Sequence, residues 1–250
     1  MTRWVRVMYL LILTGTCSVC PGEAKVPFPV GEKLTYVIRW GMVPVGTGVL
    51  HVQGIETLRG RRVYKIVATA RSNAFLSTFY EVDDRVVTYV DVEKLYPLEF
   101  RKKLSEGGYE CDEKMVYDQD RHRAVFTSPT SKKEMVIPPG VQDALSCLYF
   151  FRTMDFEVGR TLFLDVNADE KNWELQVRVI REESLDIRHL GGFQTVKVEP
   201  VAKFEGIFVR KGRIFVWVTR DKLRLPVLMK SKVPFGSVSA ALTKIERDIL

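Results

Sequence analysis

The chain predicts a mainly β fold: one large curved antiparallel sheet, half-open or closed into a barrel, of about a dozen strands with one covering helix. Three observations carry this expectation. Apolar residues recur with a two-residue period in segment after segment, the joints between those segments are short and rich in Gly, Asp and Asn, and a single stretch, residues 142–154, is convincingly helical.

The strands follow in order. Residues 32–40 open the fold with Leu34, Tyr36, Ile38 and Trp40 on one face and Lys33, Thr35 and Arg39 on the other. Gly41 to Pro44 reads as a turn, and residues 45–53 return as a strand in which Gly46 and Gly48 mark a bend, a bulge or the close approach of another backbone. Residues 62–72 alternate Tyr64, Ile66, Ala68 and Ala70 against Lys65, Thr69 and Arg71, and Asn73 can cap one turn of helix. A meander of strands is expected at 85–90, 98–104, 109–117 and 122–126. The helix at 142–154 presents Val141, Leu145, Leu148 and Phe151 as a stripe, with Asp143 in its first turn and Arg152 in its last. Strands resume at 161–166, 173–180, 185–189, 195–200, 213–219, 225–233 and 237–245. Residues 214–218 are apolar on both faces, as in a strand covered on both sides.

Length and composition fit one large core. The 250 residues are 46% hydrophobic and 28% charged, ordinary globular values that exclude a disordered or fibrous chain. Residues 1–24 read as a signal peptide: Arg3 and Arg6 precede a short apolar run, and Gly22-Glu23-Ala24 offers small residues for cleavage. Residues 25–250 then form a single antiparallel β domain, periplasmic or otherwise exported. Lipid anchoring at Cys17 is disfavoured, because Leu13 stands one place too far back for a lipoprotein box. Beyond the signal remain Cys111 and Cys147, for which an oxidising compartment permits a disulfide; two buried thiols are the favoured alternative.

The net charge is +7, and the excess is concentrated at 203–232, where nine Lys or Arg face only Glu205 and Asp221. Such a segment attracts anionic headgroups, export argues against nucleic acid, and a solvated strand face explains it equally well. Catalytic and metal patterns fail. His51, His122 and His189 are isolated, and Ser146 lacks the glycines of a nucleophile elbow. The polar run from Asp165 to Asp169 lacks the glycine and the final glutamate of a calcium loop. Asp83-Asp84 and Glu182-Glu183 are consecutive, so within a strand their carboxylates diverge. No metal, cofactor or catalytic residue is expected.

Two groups of residues carry a resemblance. One is the run from Phe28 to Tyr36 (FPVGEKLTY) with Trp40 and Val45-Gly46-Thr47-Gly48. The other is Trp217-Val218-Thr219-Arg220-Asp221 with Leu225-Pro226-Val227 and Phe235-Gly236-Ser237; Asp143-Ala144-Leu145-Ser146 lies between. Together they resemble the bacterial exported family named domain of unknown function 3108, from about Phe28 to Leu242, with departures at Arg220, Leu225 and Cys147. The resemblance implies an exported, mainly antiparallel β domain with no settled activity. A curved sheet plugged by a helix is also similar in architecture to periplasmic lipoprotein carriers, which hold acyl chains in the concavity.

The functional expectation is a noncatalytic cell-envelope binding protein whose concavity holds a lipid or acyl chain. Tyr36, Trp40, Tyr64 and Trp217 are the candidate apolar contacts, and Arg220, Lys222 and Arg224, in a turn expected to face solvent, the candidate headgroup contacts. Peripheral membrane contact accompanies that reading. An envelope protein-protein interaction or assembly factor is the second reading, and an envelope hydrolase the third.

Overall fold

The computed structural model describes residues 28–202, 213–233 and 236–247. The signal-peptide reading of residues 1–24, including Cys17, lies outside the described residues, as do Lys203, Arg210, Lys211 and Phe235. In chain order the elements are β1 (Lys33–Trp40), β2 (Val43–Leu58), β3 (Arg61–Ser72), α1 (Ala74–Ser77), β4 (Asp83–Asp91), β5 (Pro97–Glu106), β6 (Tyr109–Asp118), β7 (Arg123–Thr127) and β8 (Lys132–Val136). They continue with β9 (Gln142–Asp143), α2 (Ser146–Phe151), β10 (Thr161–Ala168), β11 (Lys171–Ile187), β12 (Gly191–Ala202), β13 (Ile214–Thr219), β14 (Pro226–Val233) and β15 (Gly236–Glu246).

Among the described residues the fifteen strands form one sheet in the order β8 to β1, then β15 back to β9. Strands consecutive along the chain pair antiparallel, except that β8 and β9 lie at opposite ends of the sheet. Two pairings depart from that rule: β1 pairs with β15 and joins the halves, and β9 runs parallel to β10. Bulges between Val52 and Gly54, Val179 and Arg181, and Trp217 and Val218 add bend to the sheet.

The sheet is unclosed. Its two ends are bridged by side chains instead of a ladder: Asn172 Nδ2 donates to the Val136 carbonyl at 2.7 Å, and Lys133 approaches Glu170 at 3.5 Å. Gly46 shows why the glycines of β2 matter, since a Cβ there would lie 2.3 Å from the Arg71 carbonyl oxygen on β3.

Three sequence expectations are corrected. The helix expected at 142–154 is only six residues long. Gln142 and Asp143 belong to β9, where they pair in parallel with Val166 and Asn167 of β10. The strands expected at 173–180 and 185–189 are one strand of 17 residues whose bulge absorbs the break in alternation. A strand unread in the sequence, β8 (KKEMV), forms one edge, and its two lysines suit an unpaired edge.

The face of the sheet that carries α2 is called the inner face. Phe28, Val52, Tyr64, Ile66 and Val90 are packed with Leu145 and Tyr149 on one flank of α2. Leu164, Val166, Val177, Val179, Val196 and Val198 are packed with Phe151 on the other. Burying each such aliphatic or aromatic side chain contributes about 1.5–3 kcal/mol.

Candidate functional site

A six-residue helix cannot hold itself in place, so its position must come from its ends. At the N-terminal end, Asp143 Oδ1 accepts from the backbone N–H of Leu145 at 2.8 Å and of Ser146 at 2.7 Å. In return Ser146 Oγ accepts from the Asp143 N–H at 2.8 Å, a reciprocal exchange that ties the end of β9 to the first residue of the helix. Thr88 on β4 donates to the other carboxylate oxygen at 2.5 Å, tying helix to sheet. Burial raises the Asp143 carboxyl to a pKa of about 6, against the lowering effect of these hydrogen bonds.

At the C-terminal end the buried Arg152 makes a two-pronged pair with the buried Glu32, at 2.7 and 2.9 Å. Its Nε donates to the Leu223 carbonyl at 3.1 Å, and its guanidinium lies over the Tyr149 ring at 5.1 Å. Arg152 was expected merely to complement a helix dipole; it instead binds the helix to the segment before β1 and to the β13–β14 turn. That turn is itself ordered, since Asp221 Oδ1 accepts from Thr219 Oγ1 at 2.8 Å and from the Leu223 N–H at 2.9 Å.

Between α2 and the inner face of β10–β14 lies a cavity of about 260 Å³. Cys147, Leu148 and Phe151 face it from the helix, and Leu164, Val177, Val198, Val216 and Met229 from successive strands. No charged side chain lines it. Burial pushes the Cys147 thiol up to about 12, so it is a neutral apolar wall rather than a nucleophile. Cys111 and Cys147 are both free thiols with no bridge between them.

A second apolar feature is open. At the β1–β2 turn, Trp40, Val43, Phe75, Phe79, Tyr80 and Val238 line a groove of about 890 Å³. Phe75 and Phe79 are 61% and 77% exposed, unusual values for phenylalanine. The platform is held firmly: Asn73 Oδ1 accepts from the Leu76 N–H at 2.9 Å, as its capping position suggested, and Asn73 Nδ2 donates to the Pro44 carbonyl at 2.8 Å.

The structure does not bring the sequence-selected residues into one site. Tyr36 is buried and donates to the Pro226 carbonyl at 2.8 Å, and Tyr64 is packed against Phe28 with ring centroids 5.2 Å apart. Trp217 is buried, but strand alternation turns it to the face opposite the cavity wall at Val216. There its indole donates to Glu183, and Lys197 lies 4.7 Å from the ring. Trp40 reaches the open groove. Arg220 pairs with Glu182 at the surface at 3.1 Å, and Lys222 is exposed. Arg224 departs from the expected solvent turn: it is half-buried, donates to the Arg152 carbonyl at 3.1 Å and bonds Asp155 at 2.7 Å.

The cavity itself escaped the sequence reading. Its one signal was the apolar character of both faces of residues 214–218, which also fits ordinary core. The Glu32–Arg152 pair joins residues 120 positions apart and had no local signal.

Among the described residues no helix is long and apolar enough to cross a membrane, and no three His, Cys, Asp or Glu gather as a metal site. The fold is similar to the crystal structure of a β-barrel-like protein of domain of unknown function DUF1849 from Brucella abortus. That match has a TM-score of 0.60 at 12% identity and covers 89% of this chain and 99% of that one. A protein with a YmcC-like fold from Bacteroides fragilis matches at a TM-score of 0.39 and 14% identity, over 88% of this chain and 98% of that one. No curated protein matches. The sequence matches the protein of unknown function family DUF3108 over residues 35–243, and the chain belongs to that family.

Proposed function

We propose that this protein is a noncatalytic binding protein of the cell envelope that holds an apolar chain, such as a lipid or lipoprotein acyl chain, between α2 and β10–β14. The observation that carries the reading is the apolar cavity of about 260 Å³. Protein interiors are packed to the density of organic crystals and leave few voids larger than water, so a space of this size and lining suits an apolar guest. It lies just below the usual range of small-molecule pockets, about 300–1,000 Å³, which fits one chain segment better than a whole lipid. The signal-peptide reading of residues 1–24 supports an envelope location.

Titration with a fluorescent fatty acid tests the reading, with Cys147→Phe as the variant that fills the cavity from the helix side. The wild type should bind the probe, and the variant should lose at least tenfold in affinity while keeping its far-UV spectrum. Equal binding by both proteins overturns the assignment of the cavity. No probe binding by the wild type, together with no lipid in native mass spectra of protein taken from its own envelope, overturns the function.

A further inference from the structure

We infer that the open groove at the β1–β2 turn is a second compartment of the cavity's own binding site, and that the ligand is a lipid with two apolar chains, one in each compartment. The inference rests on the proposed function of the cavity and narrows its ligand. Strand register joins the two compartments. One cross-strand row runs Val216, Met229, Ala240, Ile38 over β13, β14, β15 and β1. The next runs Ile214, Ser231, Val238, Trp40 over the same strands and reaches Val43 on β2. Ile214, Val216 and Met229 line the cavity, and Val238, Trp40 and Val43 line the groove. Side chains in a row share one face, so both compartments lie on the inner face, about 14 Å apart over three strand spacings. Neither row contains a charged residue, and Ala240 and Ile38, between the compartments, are half-buried.

Exposure gives the direction of a chain in the cavity. Leu164, Val166, Val177 and Val198, on the β10–β12 wall, are buried, whereas Ile214, Val216 and Met229 are half-buried. A chain with its tail among the buried residues brings its headgroup end out over β14. It leaves the groove uncovered, with Trp40 51% exposed, Phe75 61% and Phe79 77%. Large apolar groups gathered at a surface mark a contact site, and here the contact is continuous with the cavity.

Charge decides which part of the ligand the groove takes. Its lining residues are all uncharged. On its far side Val82 pairs with Glu106, and Asp84, two residues along the same extended run, shares the face of Val82. These carboxylates repel an anionic headgroup, and the cavity, with no charged side chain, has nothing to pair with one. Neither compartment therefore suits a headgroup, and both suit a chain. Two chains joined at one headgroup place a chain in each and leave the headgroup over Ala240, between them.

Displacement of the fluorescent fatty acid tests the inference. Dioctanoyl phosphatidylcholine should displace the probe from the wild type at least tenfold more effectively than octanoyl lysophosphatidylcholine, which has the same headgroup and one chain. Tenfold is the effect of burying about two methylenes of the second chain. Phe75→Asp/Phe79→Asp on α1 and Val238→Asp on β15 alter the groove from its two sides. Both variants should bind the probe as the wild type does and lose the preference for the two-chain lipid. Phe163→Asp, at an exposed position on β10, should keep the preference. A wild type that binds the probe but takes the two lipids equally overturns the inference and leaves the cavity reading standing. Groove variants that keep the preference, or a Phe163→Asp loss of equal size, do the same. A wild type that binds no probe overturns both. A dimer in sedimentation that Phe75→Asp/Phe79→Asp dissociates would assign the groove to a second copy and overturn the inference as well.

Discussion

The two flanks of helix α2 are built on opposite plans. On one, Glu32, Arg152 and Tyr149 meet Phe28 and Tyr64 in a buried cluster held by charge-assisted hydrogen bonds and edge-on rings. On the other, Cys147, Leu148 and Phe151 look across an apolar cavity at valines and leucines. A short helix needs fixed ends, and directional bonds at Asp143 and Arg152 supply them, alongside the packing of Phe151 against the valines of β11 and β12. The polar flank thereby frees the apolar one to remain loosely filled, which is what a container for an apolar chain requires.

Breaking the polar flank should have the largest effect. Arg152→Ala leaves the Glu32 carboxylate buried and unpaired, and the expected loss of stability is about 3–5 kcal/mol in urea unfolding. Glu32→Leu/Arg152→Met removes both charges and should recover much of that loss. A single variant no worse than the double would mean that the pair does not anchor the helix.

Asp143 sharpens the comparison through pH. Its carboxyl is raised by burial from the ordinary 3.8 to about 6, so the folded protein holds this proton more tightly than the unfolded chain does. Stability from this group is therefore full below about pH 4 and falls as pH rises through about 6, by an amount on the order of 3 kcal/mol. Asp143→Asn keeps an acceptor for the Leu145 and Ser146 amides and removes the titration. Its stability relative to the wild type should rise between pH 4 and pH 7, read from urea midpoints at each pH; a constant difference would place Asp143 outside the pH response.

On the apolar flank the same measurements should move little. Cys147→Phe adds a ring to space that already exists, so its stability should stay within about 1 kcal/mol of the wild type, below the 1–3 kcal/mol typical of overpacking a full core. A larger loss would show that the cavity wall cannot accept added volume. The smallest effect is expected at Arg220→Ala, whose exposed pairing with Glu182 is worth about 0–1 kcal/mol, and a thermal shift of a degree or two would bound it.

The residues of the family resemblance serve this architecture. Glu32, inside the run from Phe28 to Tyr36, is the partner of Arg152, and Asp143 and Ser146 join the end of β9 to the start of the helix. Asp221 shapes the turn whose Leu223 carbonyl receives Arg152. All were legible as a pattern, but their roles were not, because each role is completed by a partner far along the chain. The aromatics selected as ligand contacts show the same limit: Tyr36, Tyr64 and Trp217 share bulk and strand position, and only packing separates them from Trp40 in the open groove.

Fold class, the antiparallel meander at 85–126 and the one turn of helix after Asn73 were legible in the residues alone, because two-residue alternation, turn residues and caps act over a few positions. Tertiary structure alone decided that β1 would join β15, that the ends of the sheet would meet through side chains, and that residues 142–154 would yield only a short helix. It also decided which apolar residues fill a core and which surround a cavity. Those outcomes depend on which surfaces meet across the sheet, and local periodicity is identical for a valine that touches a neighbour and one that faces open space.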